Sequence, residues 1–375
     1  MSAQADSAQQ PQSQPGLPPT AHRRRPRYSG KNPRRFEDKY KERDPERYSE
    51  TVAKVLASGK TPAGTHRPIM VKEILEILDP KPGETAVDCT LGYGGHALEI
   101  LSRLQPGGKL LGMDADPIEF PKTEARLRAM GYGSDTFVCR RGNFAGLPQA
   151  LVAAGWDGAD MILADLGLSS MQIDDPSRGF SVKREGPLDM RMNPGRGQSA
   201  SALIEKIEAK TLAALLADNA DEPYAAELAA ALAGRSLQTT TALAVAVCAA
   251  LPRLTREDRD LSIRRVFQAL RIAVNDEFSA LDAFLRNLPA CLKSGGRVAI
   301  LTFHSGEDRR VKKAFQAAAR ESLFAAIAEE VLRQAPRSAM ITRARLPQNS
   351  DGPGKRSVIS WSGVIDQNSV KTPFG

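Results

Sequence analysis

The chain's 375 residues, 26% of them charged, are enough for a full hydrophobic core and point to one large domain with a smaller one rather than a minimal module. No run approaches the roughly 18 apolar residues of a membrane span, and the Gln- and Pro-rich start lacks a secretory signal's apolar stretch, so a soluble cytoplasmic protein with no membrane partner is expected. The formal charge of +8 favours a polyanionic partner, while Cys89, Cys139, Cys248 and Cys291, far apart and without a C-x-x-C pair or a nearby histidine, argue against a zinc site and for buried thiols in a reducing compartment.

Residues 1–60 are poor in aliphatics and cannot offset their ordering entropy by burial, so they read as a disordered basic extension. Arg23, Arg24, Arg25, Arg27, Lys31, Arg34 and Arg35, with Tyr28 among them, suit phosphate contacts and base stacking, and equally suit a solvated, solubilising tail. From residue 85 the pattern becomes β-α-β. Strands are expected at 85–90, 109–114, 136–140 and 160–165, and helices at 97–104 and 117–130, which is half of a doubly wound parallel sheet. The alternation then stops. Gly- and Pro-rich loops fill 174–197, and Ala-rich helical stretches follow at 199–216, 224–232 and 242–251. An amphipathic helix at 264–288 leads into a strand at 296–303, with β-rich sequence again near 357–364. One α/β domain in two parts, 61–172 and 263–366, split by a helical insertion at 173–262 and followed by a flexible tail at 367–375, explains this order better than two consecutive domains.

The first strand runs into Leu91-Gly92-Tyr93-Gly94-Gly95-His96, where glycines let the backbone approach a ligand and a helix N-terminus offers free N–H groups. Alone, that loop fits a plain βα turn equally well. The next strand ends at Asp114, where a carboxylate accepts hydrogen bonds from ribose hydroxyls, so an adenosine-containing ligand is favoured. A phosphate loop G-x-x-x-x-G-K-[ST] is missing, which disfavours an ATPase or kinase, while the arrangement G-x-G-G-x-A leaves a dinucleotide open. The fourth strand ends at Asp165, placed beside the cofactor to orient an exocyclic amine, or else to cap a turn with Ser169 and Ser170. The fifth ends at His304, on the same edge of the sheet and suited to touch a base or a phosphate; a structural role serves a lone histidine as well. Phe180 and Arg191 suit base stacking or loop packing.

Six ordered blocks, Asp88-x-Thr90-x-Gly92-x-Gly94-Gly95-His96, Asp165-Leu166-Gly167-x-Ser169-Ser170-x-Gln172, Arg178-Gly179-Phe180-Ser181, Gly186-Pro187-Leu188-Asp189-Met190-Arg191-Met192, Phe267-Gln268-Ala269-x-Arg271-Ile272-x-Val274-Asn275 and Phe303-His304-Ser305-x-Glu307-Asp308-Arg309, resemble the bacterial ribosomal RNA small-subunit methyltransferase H family over about residues 66–320. The resemblance implies a class I S-adenosylmethionine-dependent methyltransferase domain, Rossmann-like, interrupted by a helical insertion that helps bind substrate. It further implies methylation of the N4 amine of one cytidine in the decoding region of 16S rRNA, with 16S rRNA or the small subunit as partner and either a monomer or a homodimer as the working form. Cofactor contacts carry over to Gly94, Gly95, His96, Asp114, Phe144, Asp165 and Gln172, with Phe144 near the adenine. The chain departs from the family at Asp221-Glu222-Pro223, where a Gly-Glu-Glu block is usual, at Gly306, where Leu is usual, and in the tail, where only Asn349 and Lys355-Arg356-Ser357 remain of a basic motif. These departures bear on RNA contacts more than on the cofactor site.

Methyl transfer to an exocyclic amine needs alignment rather than a metal, so Asp165 and His304 are the candidate catalytic residues and no metal is expected. Attack at cytosine carbon 5 needs a cysteine nucleophile, commonly after proline; the chain has no Pro-Cys dipeptide, and Cys89 and Cys139 fall within strands away from the site-facing ends. A non-catalytic RNA-binding assembly factor on the same fold, a methyltransferase for another RNA, and a NAD-dependent enzyme are the remaining alternatives. The intact glycine loop, Asp114 and Asp165 count against a pure binder.

Overall fold

The computed structural model describes residues 68–334 and 337–346. The expectations for 1–60, for strands near 357–364 and for the tail at 367–375 lie outside them. Five parallel strands, β1 (Thr85–Asp88), β2 (Lys109–Asp114), β3 (Phe137–Arg141), β4 (Ala159–Asp165) and β5 (Leu292–Thr302), are followed by an antiparallel pair, β6 (Ala326–Gln334) and β7 (Arg337–Arg345). Together they form one seven-stranded sheet in the order β3-β2-β1-β4-β5-β7-β6, with β7 antiparallel to β5. Val87 pairs with Leu111 on one side and Ile162 on the other, and all three are fully buried. Burial on both faces is why these strands read as unbroken apolar runs.

Alternate strand residues feed two separate cores. Val87, Leu111, Ile162, Ala164, Val298 and Ile300 meet helices α4 (Leu147–Ala154), α11 (Glu277–Cys291) and α12 (Ser305–Arg320) on one face. Ala86, Leu110, Met161, Leu163, Ala299 and Leu301 meet α1 (Val71–Leu78), α2 (Gly95–Leu104) and α3 (Phe120–Ala129) on the other. A short helix α5 (Ser170–Asp174) follows β4. A third core belongs to α6 (Ala200–Lys206), α7 (Ala209–Ala220), α8 (Ala225–Leu232), α9 (Thr240–Ala250) and α10 (Arg256–Asn275).

Several boundaries differ from the sequence reading, each for a local reason. The helix expected at 199–216 is two, because Ile207 and Glu208 are extended between α6 and α7. The helix expected at 264–288 is also two, α10 and α11, broken at Asp276, whose φ of 50° is left-handed. Helix α10 runs across position 262/263, and Ile263, Val266, Phe267 and Leu270 pack into the helical core. Strands β6 and β7 were not expected at all. No helix among the described residues is long and apolar enough to cross a membrane.

Candidate active site

Strand ends β1, β2 and β4 open onto a cleft of about 820 Å³, a volume at the upper end of ordinary ligand pockets and large enough for a nucleoside cofactor and a second base. The glycine loop forms its floor. Gly92 and Gly94 have φ of 47° and 72°, a left-handed conformation that other residues adopt only with strain. A Cβ on Gly94 would lie 2.9 Å from Thr123 Cγ2, and one on Gly95 2.8 Å from the Pro68 ring. Here the glycines are demanded first by packing against α3 and Pro68, and that packing brings the α2 N-terminus to the cleft. Arg126 holds the loop from outside, its guanidinium over the Tyr93 ring at 3.7 Å and bonded to the Tyr93 carbonyl.

Asp114 accepts hydrogen bonds from Gly92 N–H (2.6 Å) and Asp116 N–H (2.8 Å), which fix its carboxylate beside the loop. Burial nevertheless pushes its pKa up to about 6. Asp88 is buried at the end of β1 and pushed up to about 6 by the same cause, moderated by His96 and by the Thr90 N–H it accepts. Thr90 in turn accepts Asp165 N–H at 2.7 Å through its hydroxyl, so the Asp-x-Thr block of β1 positions the end of β4.

Asp165 and His96 then face each other, Nε2 of His96 lying 3.6 Å from Oδ2 of Asp165. That is beyond hydrogen-bond reach, and among the described residues His96 Nε2 and Asp165 Oδ1 are buried without a hydrogen-bond partner. With His304 Nε2, these are among the orphaned polar atoms on residues lining one cleft, as expected where a bound ligand completes the pairing. Phe144 also lines the cleft, its ring edge-on to Phe284 at 5.5 Å.

Gln172 lines the cleft too, but its amide is engaged by the protein: Nε2 donates to Asp116 Oδ2 (2.8 Å), and Oε1 accepts Ser169 N–H, closing a capping box with the Ser169 side chain. His304 caps α12, its Nδ1 accepting Glu307 N–H (3.4 Å) while Nε2 lies 3.2 Å from Glu307 Oε1. Burial would raise the Glu307 carboxyl, but His304, Arg271 and the Phe303 N–H outweigh it and hold it below the ordinary range. Phe180 is buried in the helical core, and Arg191 is clasped by Asp189 through Nε (2.8 Å) and Nη2 (2.7 Å); packing, not stacking on a base, accounts for both. Cys89 corrects the sequence reading, for it lies just past β1 and lines the cleft; burial pushes its thiol well up, which disfavours the thiolate a carbon-5 mechanism needs.

Three features were not read from the sequence. Arg178, 6% exposed, donates to Asp116 Oδ2 (2.8 Å) and to the Met192 carbonyl (2.8 Å), while Asp116 is 2% exposed. Arg271 and Glu277 form a bidentate pair, both bonds 2.8 Å, across the α10–α11 break. Asn275 accepts Met192 N–H (2.7 Å) and donates to the Met190 carbonyl (2.8 Å), tying the loop before α6 to the cleft wall. Only the family-like block around Phe267 pointed to Arg271 and Asn275. Asp116 had the one cue of standing two residues after Asp114.

A 3-2-1-4-5-7-6 sheet with β7 antiparallel, carrying a glycine loop after β1 and a buried carboxylate at the end of β2, defines a class I S-adenosylmethionine-dependent methyltransferase. The chain belongs to the MraW methylase family, whose profile matches residues 63–352. It is 47% identical to ribosomal RNA small subunit methyltransferase H 2 of Alkaliphilus metalliredigens over 348 residues, 90% of this chain and 97% of that protein. To ribosomal RNA small subunit methyltransferase H 1 of Lachnoclostridium phytofermentans it is 46% identical over 321 residues, covering 83% and 87%. Among solved structures, TrmN from Thermus thermophilus is similar with a TM-score of 0.39 at 16% identity, over 74% of this chain and 48% of that one, a likeness that carries no functional argument.

Proposed function

We propose that the protein methylates the N4 amine of a cytidine in the decoding region of small-subunit ribosomal RNA. The observation that carries the chemistry is Asp165, held at the end of β4 by Thr90, with Oδ1 buried and unpartnered in the cleft shared with Asp114. The RNA and its position rest on the relatives' names and on the sequence blocks shared with their family.

S-adenosylmethionine, when bound, supplies an electrophilic methyl on a sulfonium, transferred by in-line displacement. The residues present fit it. Asp114 would receive the ribose hydroxyls, the N–H groups of Gly95 and His96 with the His96 ring would receive the methionine end, and Phe144 would pack near the adenine, while the Gly94 N–H is donated to the Leu91 carbonyl and serves the turn itself. Gln172 acts through Asp116, keeping the loop after β2 in place. Asp165 Oδ1 accepts one N4–H of cytosine and so aims the nitrogen lone pair, and water or a carbonyl at Leu166 or Gly167, both lining the cleft, receives the proton released. His304 shapes the wall through Glu307 and takes no proton in this scheme. The target base must leave its stack to enter, at a cost of a few kcal/mol, least for an unpaired nucleotide. The helices α6 to α9 with the first part of α10 serve as the substrate-recognition unit.

Small subunits from a strain lacking the protein, incubated with it and labelled cofactor and digested for nucleoside mass analysis, should yield N4-methylcytidine; a different methylated nucleoside overturns the assignment. Asp165→Ala should abolish single-turnover transfer while cofactor still binds. Normal single-turnover transfer by that variant removes Asp165 from the mechanism.

A further inference from the structure

The cleft is acidic. Among the described residues, Asp114, Asp116, Glu119, Asp165, Glu277 and Glu307 are six of its seven lining carboxylates, set against three guanidinium groups, Arg141, Arg196 and Arg271, and no lysine. Such a lining suits a cationic cofactor and repels phosphate, so a nucleotide can insert its base but must leave its backbone at the rim. Arg271 is unavailable to hold that backbone, being committed to Glu277. Arg141 and Arg196 differ. Both are exposed, and among the described residues neither guanidinium is held by a side-chain hydrogen bond or an ion pair. Their neighbours make the contrast plain: Arg140 donates to the Ala153 carbonyl, and Arg191 is clasped by Asp189.

The two are also mounted on firm supports. Arg141 ends β3, and the next residue, Gly142, donates its N–H to the Asp114 carbonyl at 2.9 Å. Arg196 is carried by a loop anchored through Met192 to Asn275 and Arg178, and its own N–H donates to the Asn193 carbonyl at 3.1 Å. One cation thus comes from the sheet and one from the segment leading into the helical unit, both on the same opening.

We infer that Arg141 and Arg196 are paired phosphate grips on the rim of the cleft, holding the backbone of a single-stranded polynucleotide while one base is inserted. This deepens the function proposed above and rests on it for the identity of the strand, but not for the contact itself. The rival chemistry at the same atoms is the carboxylate of the cofactor.

The test uses full-length protein saturated with S-adenosylhomocysteine, titrated with a labelled single-stranded RNA of mixed sequence at several salt concentrations from about 50 to 200 mM. Arg141→Ala and Arg196→Ala should each weaken RNA binding, on the order of tenfold at the low-salt end, and each should reduce the slope of log affinity against log salt by about 0.7, the single-strand value for one phosphate contact. Cofactor affinity should stay unchanged, and Arg140→Ala should behave like wild type. Unchanged RNA affinity and slope overturn the inference, as does a loss confined to cofactor binding or an equal loss in Arg140→Ala. The nucleoside analysis above fails or succeeds separately, since this measurement needs no methyl transfer.

Discussion

Asp114, proposed to hold the ribose, stands out in the sequence as a carboxylate at the end of the second strand, so soon after a glycine loop. What the sequence did not carry is its charge state. Its pKa is pushed from 3.8 to about 6 by burial, and in the proposed role the ionised form is the one that would accept ribose hydroxyls. Cofactor affinity should therefore be full well above pH 6 and fall as pH drops through about 6. The stability term runs the other way: the folded state keeps a proton the unfolded chain releases between about 6 and 3.8, so this group favours folding at low pH and loses that contribution as pH rises through 6. Calorimetric titration of S-adenosylhomocysteine at pH about 7.5 and 5.5 should show weaker binding at the lower pH. Asp114→Asn should bind weakly at both and lose most of the difference, the remainder belonging to Asp88, which titrates in the same range. Asp116 stayed hidden because its partner, Arg178, is 62 residues away in sequence, and no local pattern announces a pairing at that distance.

At the level of elements, sequence periodicity found the five parallel strands and missed the antiparallel pair β6 and β7. Ala326–Gln334 reads AIAEEVLRQ, rich in helix-forming Ala, Glu and Leu, yet it is a strand because pairing with β7 supplies what propensity withholds. The break between α10 and α11 was equally invisible, since Asp276 turns the chain without the glycine or proline that usually marks such a place. Gly306, which departs from the family's leucine, has a structural cause: a Cβ there would sit 2.7 Å from Phe278 Cζ, on a ring already covered by Arg310 at 4.2 Å. Gly306→Leu should lower stability by about 1–3 kcal/mol, the usual cost of overpacking, measured by denaturant unfolding. An unchanged midpoint would show that Phe278 yields freely.

For the whole molecule, the helical unit announced itself by the interruption of the β-α alternation, but its attachment to the sheet did not. Among the described residues, two of the ion pairs that cross between them differ in weight. Asp221 with Arg309 (3.0 Å) leaves each side chain about half exposed, a situation worth under about 1 kcal/mol. Arg178 with Asp116 is buried, and removal of one partner from such a pair costs about 3–5 kcal/mol because the other charge is stranded. Asp221→Ala should therefore leave thermal unfolding nearly unchanged. Arg178→Ala should lower it strongly and weaken cofactor binding as well, since the Asp116 N–H positions Asp114. Equal effects of the two substitutions on unfolding would contradict this ranking.

The pairing of β4 with β5 has a consequence for synthesis. Ile162 stands beside Val298, and the whole helical unit lies between them in the chain. During translation the half-sheet β3-β2-β1-β4 is complete while the edge of β4, carrying the aspartate proposed to orient the substrate amine, stays unpaired until more than a hundred further residues emerge, roughly ten seconds at about 5–20 residues per second. An open apolar strand edge is a template for wrong pairing, and the helical core, built from contacts close in sequence, is the part able to fold within that wait. The segment that interrupts the sheet is then also its first chaperone-like neighbour on the ribosome, the particle whose RNA the finished enzyme is proposed to modify.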